Sequence, residues 1–231
     1  MIHPFRELVR LFYPNLCLIC GQPLVQSEQF LCLHCHCNLP KTNYYTFRRN
    51  PTWELFSGFS QLSEAISYLF FEKEGMTQKL IHILKYYGNK ELATFLGRIA
   101  AHELKPSGAF ASIDTILPIP LHPKKEKLRG YNQSVWIAQG IASVYGCNVD
   151  TKRLKRLINT SSQTNKSIYD RHINVENIFE ITEPDLFCGK HILLIDDVIT
   201  TGATINSCIE AFRSIPDIRI SIFSLAFTHH Y

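Results

Sequence analysis

The chain has 231 residues, 45% of them hydrophobic and 19% charged, with a net charge of +4. That length is enough for one medium domain with a small appendage, and the composition excludes a disordered or low-complexity chain. No apolar run approaches the ~20 residues of a membrane-spanning helix, and the N-terminus lacks the long apolar core of a signal peptide, so a cytoplasmic protein is expected.

The opening stretch "MIHPFRELVRLFYPN" reads as a short amphipathic helix with Phe5, Leu8, Val9 and Phe12 on one side. "CLICGQPLVQSEQFLCLHC" follows. It sets Cys17 and Cys20, then Cys32 and Cys35, at two identical C-x2-C spacings. Each pair can form a knuckle that aims two thiolates at one ion, and two knuckles complete a tetrahedral site. Gly21 suits the turn such a knuckle needs. A four-thiolate Zn2+ site leaves no open position for water, so the ion is expected to be structural. Cys37, His34 and His36 are spare ligands. The remaining thiols, Cys147, Cys188 and Cys208, are scattered and are expected to be buried.

Residues 38–51 are polar and read as a linker between a module over 1–40 and a domain over 52–231. "EAISYLFFEKE" (64–74) predicts a strand, "MTQKLIHILKYYG" a helix ended by Gly88, and residues 90–105 a second helix. "DTILPIP" (114–120) predicts a short strand, 132–146 a helix, and "RLKRLI" (153–158) a strand. "GKHILLIDD" is the clearest strand, followed by the helix "GATINSCIEAFRSI" and a last strand over 219–228. Strands alternating with helices predict an α/β domain with a mostly parallel sheet flanked by helices.

Residues 121–171 hold ten Lys or Arg against three acids, a local +7 in a chain of +4. Such a segment calls for an anionic ligand, phosphate or nucleic acid. Lys124, Lys125, Lys127 and Arg129 form one basic group, and Lys152, Arg153, Lys155 and Arg156 another. Single-stranded DNA could run along Lys124, Lys125 and the second group, with Tyr131, Trp136 and Tyr169 to stack on bases. If "RLKRLI" is a strand, Arg153 and Lys155 share one face, and Lys152 and Arg156 the other.

"ILLIDDVITTGAT" (192–204) ends a buried strand in two adjacent acids, Asp196 and Asp197, and runs into a turn of Thr200, Thr201, Gly202, Ala203 and Thr204 that opens a helix. Ligands of parallel sheets lie beyond the C-terminal strand ends, and helix starts favour phosphate. Acceptors for sugar hydroxyls beside a phosphate cradle suit a phosphorylated ribose.

This stretch resembles the fingerprint of type I phosphoribosyltransferases, which bind phosphoribosyl pyrophosphate (PRPP). The resemblance implies that Asp196 and Asp197 hold the ribose hydroxyls, that residues 200–204 wrap the 5′-phosphate, and that Mg2+ accompanies the ligand. The four-cysteine start, "LPIPLHPKKEKLRGYNQS", "KYYG" (85–88) and the series Gln163, Arg171, Asn174 and Phe179 together resemble the ComF family, linked to natural competence and DNA uptake. That resemblance covers almost the whole chain. It implies Lys85 as a phosphate ligand, Arg129 at the pyrophosphate, and DNA-uptake or recombination proteins as partners. Two functions follow: a PRPP-binding protein supporting competence, or an active phosphoribosyltransferase (a glycosyltransferase) on an unidentified acceptor.

Overall fold

The computed structural model describes residues 14–158 and 178–228. Residues 1–13 of the expected N-terminal helix, and Gln163, Lys166, Tyr169, Arg171 and Asn174, lie outside the described residues.

In chain order the described elements are α1 (Leu33–Cys37), α2 (Pro51–Glu54), β1 (Leu62–Phe70), α3 (Met76–Tyr86), α4 (Lys90–Leu104), β2 (Thr115–Pro118), α5 (Pro123–Arg129), α6 (Gln133–Tyr145), β3 (Asn148–Val149), β4 (Leu154–Arg156), β5 (Phe179–Ile181), β6 (His191–Ile199), α7 (Ala203–Glu210) and β7 (Arg219–Phe227). Five strands form one parallel sheet in the order β1-β7-β6-β2-β3. β4 and β5 pair antiparallel in a ribbon of their own. The mostly parallel α/β architecture expected from the sequence is therefore present.

β6 lies in the middle of the sheet, and Ile192, Leu193, Leu194 and Ile195 are all fully buried. A central parallel strand is covered on both faces, which is why its sequence is an unbroken apolar run rather than an alternation. From β2 the chain moves outward to β3, and from β6 it moves the other way to β7. The reversal leaves a crevice at the C-terminal ends of β2 and β6, the place where open α/β sheets take ligands.

α4 and α6 cross with backbones nearly touching. A Cβ on Gly97 would lie 2.2 Å from Ile137 O, and one on Gly140 2.2 Å from Thr94 O. This contact fixes α6, whose first turn borders the crevice.

Residues 38–51 are not a loose linker. Leu39, Thr42, Tyr44 and Asn50 are buried. Asn50 Nδ2 donates to Ala65 O (2.9 Å), and Lys41 pairs with Glu103 (2.7 Å), which also accepts from the Tyr68 hydroxyl (2.9 Å). The segment is polar because its side chains serve as hydrogen-bonding struts across β1. The cysteine module also packs on the main body. Cys17, Leu31 and Cys35 join the same buried core as the sheet, Phe30 packs on Phe95 (5.4 Å), and Lys79 on α3 donates to Ile19 O (3.3 Å).

Candidate functional site

Asp196 and Asp197 sit near the end of β6, facing the crevice between β6 and β2. Asp196 Oδ1 accepts from the Asp197 amide (2.8 Å) and from Ser134 Oγ in the first turn of α6 (3.4 Å). Lys85 Nζ, at the end of α3, stands 3.2 Å from Asp197 Oδ2, off the hydrogen-bonding axis, so that this buried oxygen accepts no hydrogen bond from the described residues. Burial, then the negative charge of Asp197, push the Asp196 carboxyl up to about 7. The Asp197 amide and the charges of Lys85 and Arg156 oppose that rise. A carboxylate pair held this way is costly when unliganded, because two like charges are kept side by side with few donors.

The loop after β6 encloses a cavity of about 50 Å³ lined by residues including Asp196, Thr200, Thr201, Gly202 and Thr204. At roughly 10–15 Å³ for each water-sized guest, the space matches a group of phosphate size. Gly202 turns at φ +75°, and a Cβ there would lie 2.9 Å from the Phe56 ring. Only glycine satisfies both the left-handed backbone and the contact. No side chain caps the N-terminus of α7, so its first N–H groups remain available to an anion.

Four basic side chains, Lys85, Lys125, Arg129 and Arg156, act on one another, and two of them, Lys85 and Arg156, act on Asp196. Burial lowers the Lys125 pKa, and the charges of Arg156, Arg129 and Lys85 lower it further. Arg156, whose own pKa burial lowers, acts electrostatically on Asp196. Its guanidinium lies over the Phe179 ring (5.4 Å), and its Nε donates to Ile158 O (3.3 Å). The second basic group thus divides. Arg153 is engaged by Asp150 (2.7 Å) and Glu183 (3.3 Å), while Lys152 and Lys155 are exposed. The expected facial sharing of Lys152 with Arg156 does not occur, because β4 spans only Leu154–Arg156 and its alternation stops there. In the first group Lys125 and Arg129 are half-buried, whereas Lys124 and Lys127 face out on α5. Tyr131 does not offer a stacking face. It is buried, and its hydroxyl donates to Leu84 O. Trp136 is half-buried beneath Lys90 (5.2 Å). Tyr131, Gln133 and Ser134 lie in the family-like stretch "LPIPLHPKKEKLRGYNQS", but nothing in the sequence assigns Gln133 or Ser134 a role, and the stacking role read for Tyr131 does not fit its burial.

The four expected cysteines come together. The Sγ atoms of Cys17, Cys20, Cys32 and Cys35 all lie within 4.8 Å of one another, and Cys20 and Cys32 are 3.7 Å apart. Metal–thiolate bonds of ~2.3 Å in a tetrahedron require an edge of about 3.8 Å, so the cluster could hold one metal ion. Gly21 makes its turn at φ +74°. Cys37 is exposed, and neither it nor His34 or His36 joins the cluster. Of the scattered thiols, Cys208 is buried and Cys147 partly so, but Cys188 is exposed because it ends a surface 3₁₀ turn.

A larger cavity of about 820 Å³ lies between Leu18 and the α3 side chains Gln78, His82 and Ile83. It contains neither the acidic pair nor the cation cluster. No helix among the described residues is long and apolar enough to cross a membrane.

The protein is of the α/β class: a parallel sheet whose crevice brings together two carboxylates, a Thr-Gly loop and basic side chains, with a four-cysteine module packed alongside. No protein-family model matches the chain. It is 27% identical to the DNA utilization protein YhgH of Salmonella typhimurium, over 83% of this chain and 88% of that one. It is 26% identical to competence protein F of Haemophilus influenzae, over 93% and 98%. The chain is thus similar over most of its length to a DNA utilization protein and to a competence protein. Among solved structures, glutamine PRPP amidotransferase from B. subtilis aligns at a TM-score of 0.39 and 18% identity, over 58% of this chain and 26% of the enzyme.

Proposed function

We propose that the protein binds PRPP, or a related phosphoribosyl ligand, in the β2–β6 crevice and supports the uptake and processing of incoming DNA. One observation carries the reading: two adjacent carboxylates, a phosphate-sized loop cavity and a cation cluster meet at one crevice. In this reading Asp196 and Asp197 accept from the ribose hydroxyls. Thr200, Thr201, Gly202, Ala203 and Thr204 surround the 5′-phosphate. Lys85, Lys125 and Arg129 neutralise the diphosphate, and Arg156 completes the charge balance from the ribbon. Mg2+ carried by the diphosphate would find hard oxygen donors in the same carboxylates. Cys17, Cys20, Cys32 and Cys35 would hold Zn2+ as a structural ion.

The competence role draws on the names of the relatives, one a DNA utilization protein and one a competence protein. Single-stranded DNA and DNA-uptake or recombination proteins are the partners that role implies. A second reading is transfer of the phosphoribosyl group to an unidentified acceptor. It draws on Asp196, whose carboxyl at about 7 can both take and give a proton near neutrality.

Calorimetry with PRPP and Mg2+ tests the ligand. Asp196→Asn and Asp197→Asn should each weaken binding by ~1.5–3 kcal/mol, the worth of a charge-assisted hydrogen bond. Wild-type protein that ignores PRPP, or variants that bind it unchanged, would refute the assignment. Pyrophosphate release in the presence of candidate acceptors would favour the transferase.

A further inference from the structure

Gln133 opens α6 at the rim of the crevice and is 1% exposed. A glutamine without access to water must place both ends of its amide. Its Oε1 accepts from Arg129 Nη1 (3.1 Å), and its Nε2 donates to Leu84 O (3.4 Å). Leu84 immediately precedes Lys85, and its carbonyl is among the last of α3, which the helix cannot pair by itself. The Tyr131 hydroxyl donates to the same carbonyl. One buried amide therefore joins the two arms that bring cations to the crevice, Lys85 on α3 and Arg129 on α5.

The chemistry of the link requires a neutral amide. A glutamate here would neutralise Arg129 and set a second acceptor against Leu84 O. An aliphatic side chain would release both arms. Glutamine alone holds the guanidinium in place while leaving its charge for a ligand.

We propose that Gln133 is a positioning residue that fixes the spacing of Arg129 and Lys85, and that this spacing selects two linked phosphates over one. On this proposal a diphosphate would engage cations on both arms at once, whereas a single phosphate would engage one. The inference rests on the PRPP reading, which assigns these same cations to the diphosphate.

The test titrates inorganic pyrophosphate and inorganic phosphate separately into the full chain at equal ionic strength. Wild-type protein should prefer pyrophosphate. Gln133→Glu should lose pyrophosphate affinity by about tenfold or more while phosphate changes by less than about threefold, so the preference collapses. Gln133→Met, neutral and similar in volume, should reduce the preference by about three- to tenfold. A merely structural role would weaken both ligands alike and leave their ratio unmoved, and that result overturns the proposal. Should the glutamate variant fail to fold, the ratio in Gln133→Met decides. Wild-type protein that binds neither anion would refute the site itself. A wild type that prefers pyrophosphate, with variants that keep that preference, would refute only the role of Gln133.

Discussion

Replacing Asp196 by Asn should change how stability depends on pH, and the structure sets the size of the effect. Burial first, and the neighbouring Asp197 second, raise this carboxyl from 3.8 to about 7. Between those values the unfolded chain has already lost the proton that the folded chain keeps. The folded state binds more protons across that window, so stability falls as pH rises through it. The contribution is complete below about pH 4 and gone above about pH 7. At 1.36 kcal/mol for each pKa unit, wild-type protein should lose roughly 3 kcal/mol from this group between pH 5 and pH 8. Asn does not titrate and should show no such loss. Urea unfolding of both proteins at the two pH values, without phosphate in the buffer, measures the difference. Groups remote from the acidic pair titrate alike in both proteins, so the difference reports Asp196 together with its coupling to Asp197. The surrounding groups provide a control. Asp197→Asn removes the second cause of the rise and should shrink the pH effect, while Lys85→Met removes an opposing charge and should enlarge it. Parallel pH profiles for wild type and Asp196→Asn would refute the reasoning.

Purified protein should carry about one zinc per chain, and Cys35→Ser should lose it. Because Cys35 and Cys17 lie in the same core as the sheet, that loss should lower the melting temperature of the main body as well. Protein prepared without chelator and free of zinc by elemental analysis would exclude the site. For DNA, the exposed cations Lys124, Lys152 and Lys155 should carry the contacts. Converting all three to Ala should lower the slope of log K against log salt for a single strand by ~2, at ~0.7 per lost phosphate contact. A wild type without single-strand binding at low salt would end the DNA reading of these residues.

The parts legible in the sequence are those where one local pattern dictates the structure. β6 announces itself because a central parallel strand must be apolar on both faces, and Asp196 and Asp197 stand out against that run. The cysteine cluster is legible because metal geometry demands repeated spacing. What stayed hidden depends on contacts distant in sequence. Residues 38–51 look like a linker, since their buried side chains are as often polar as apolar and find their partners on β1 and α4. α5 has no apolar period, and Leu128 on it is 87% exposed. Its ends are set by the His122 cap and by Gly130 in the left-handed region. The direction of Arg156 follows from pairing with Phe179, across a segment that the local sequence does not bridge. Gln133 is the extreme case. A buried amide and an exposed one are the same letter.

The basic segment therefore does not act as one surface. Arg156 acts on the acidic pair, Lys125 and Arg129 are half-buried, and Arg153 is held by Asp150 and Glu183. Lys124, Lys127, Lys152 and Lys155 face outward. Under the proposed reading, a concave phosphoribosyl site and an open DNA track would draw on different side chains of the same stretch. The ribbon places them back to back, since adjacent residues on a strand point to opposite faces. Lys155 faces out while Arg156 faces the crevice. A phosphoribosyl ligand and a nucleic-acid strand would then need not compete for the same cations. They would still share the short β4–β5 ribbon, so a ligand that fixes Arg156 would also fix the backbone that presents Lys155. Under the proposed reading, occupation of the crevice and binding of DNA are linked through that backbone rather than through overlap.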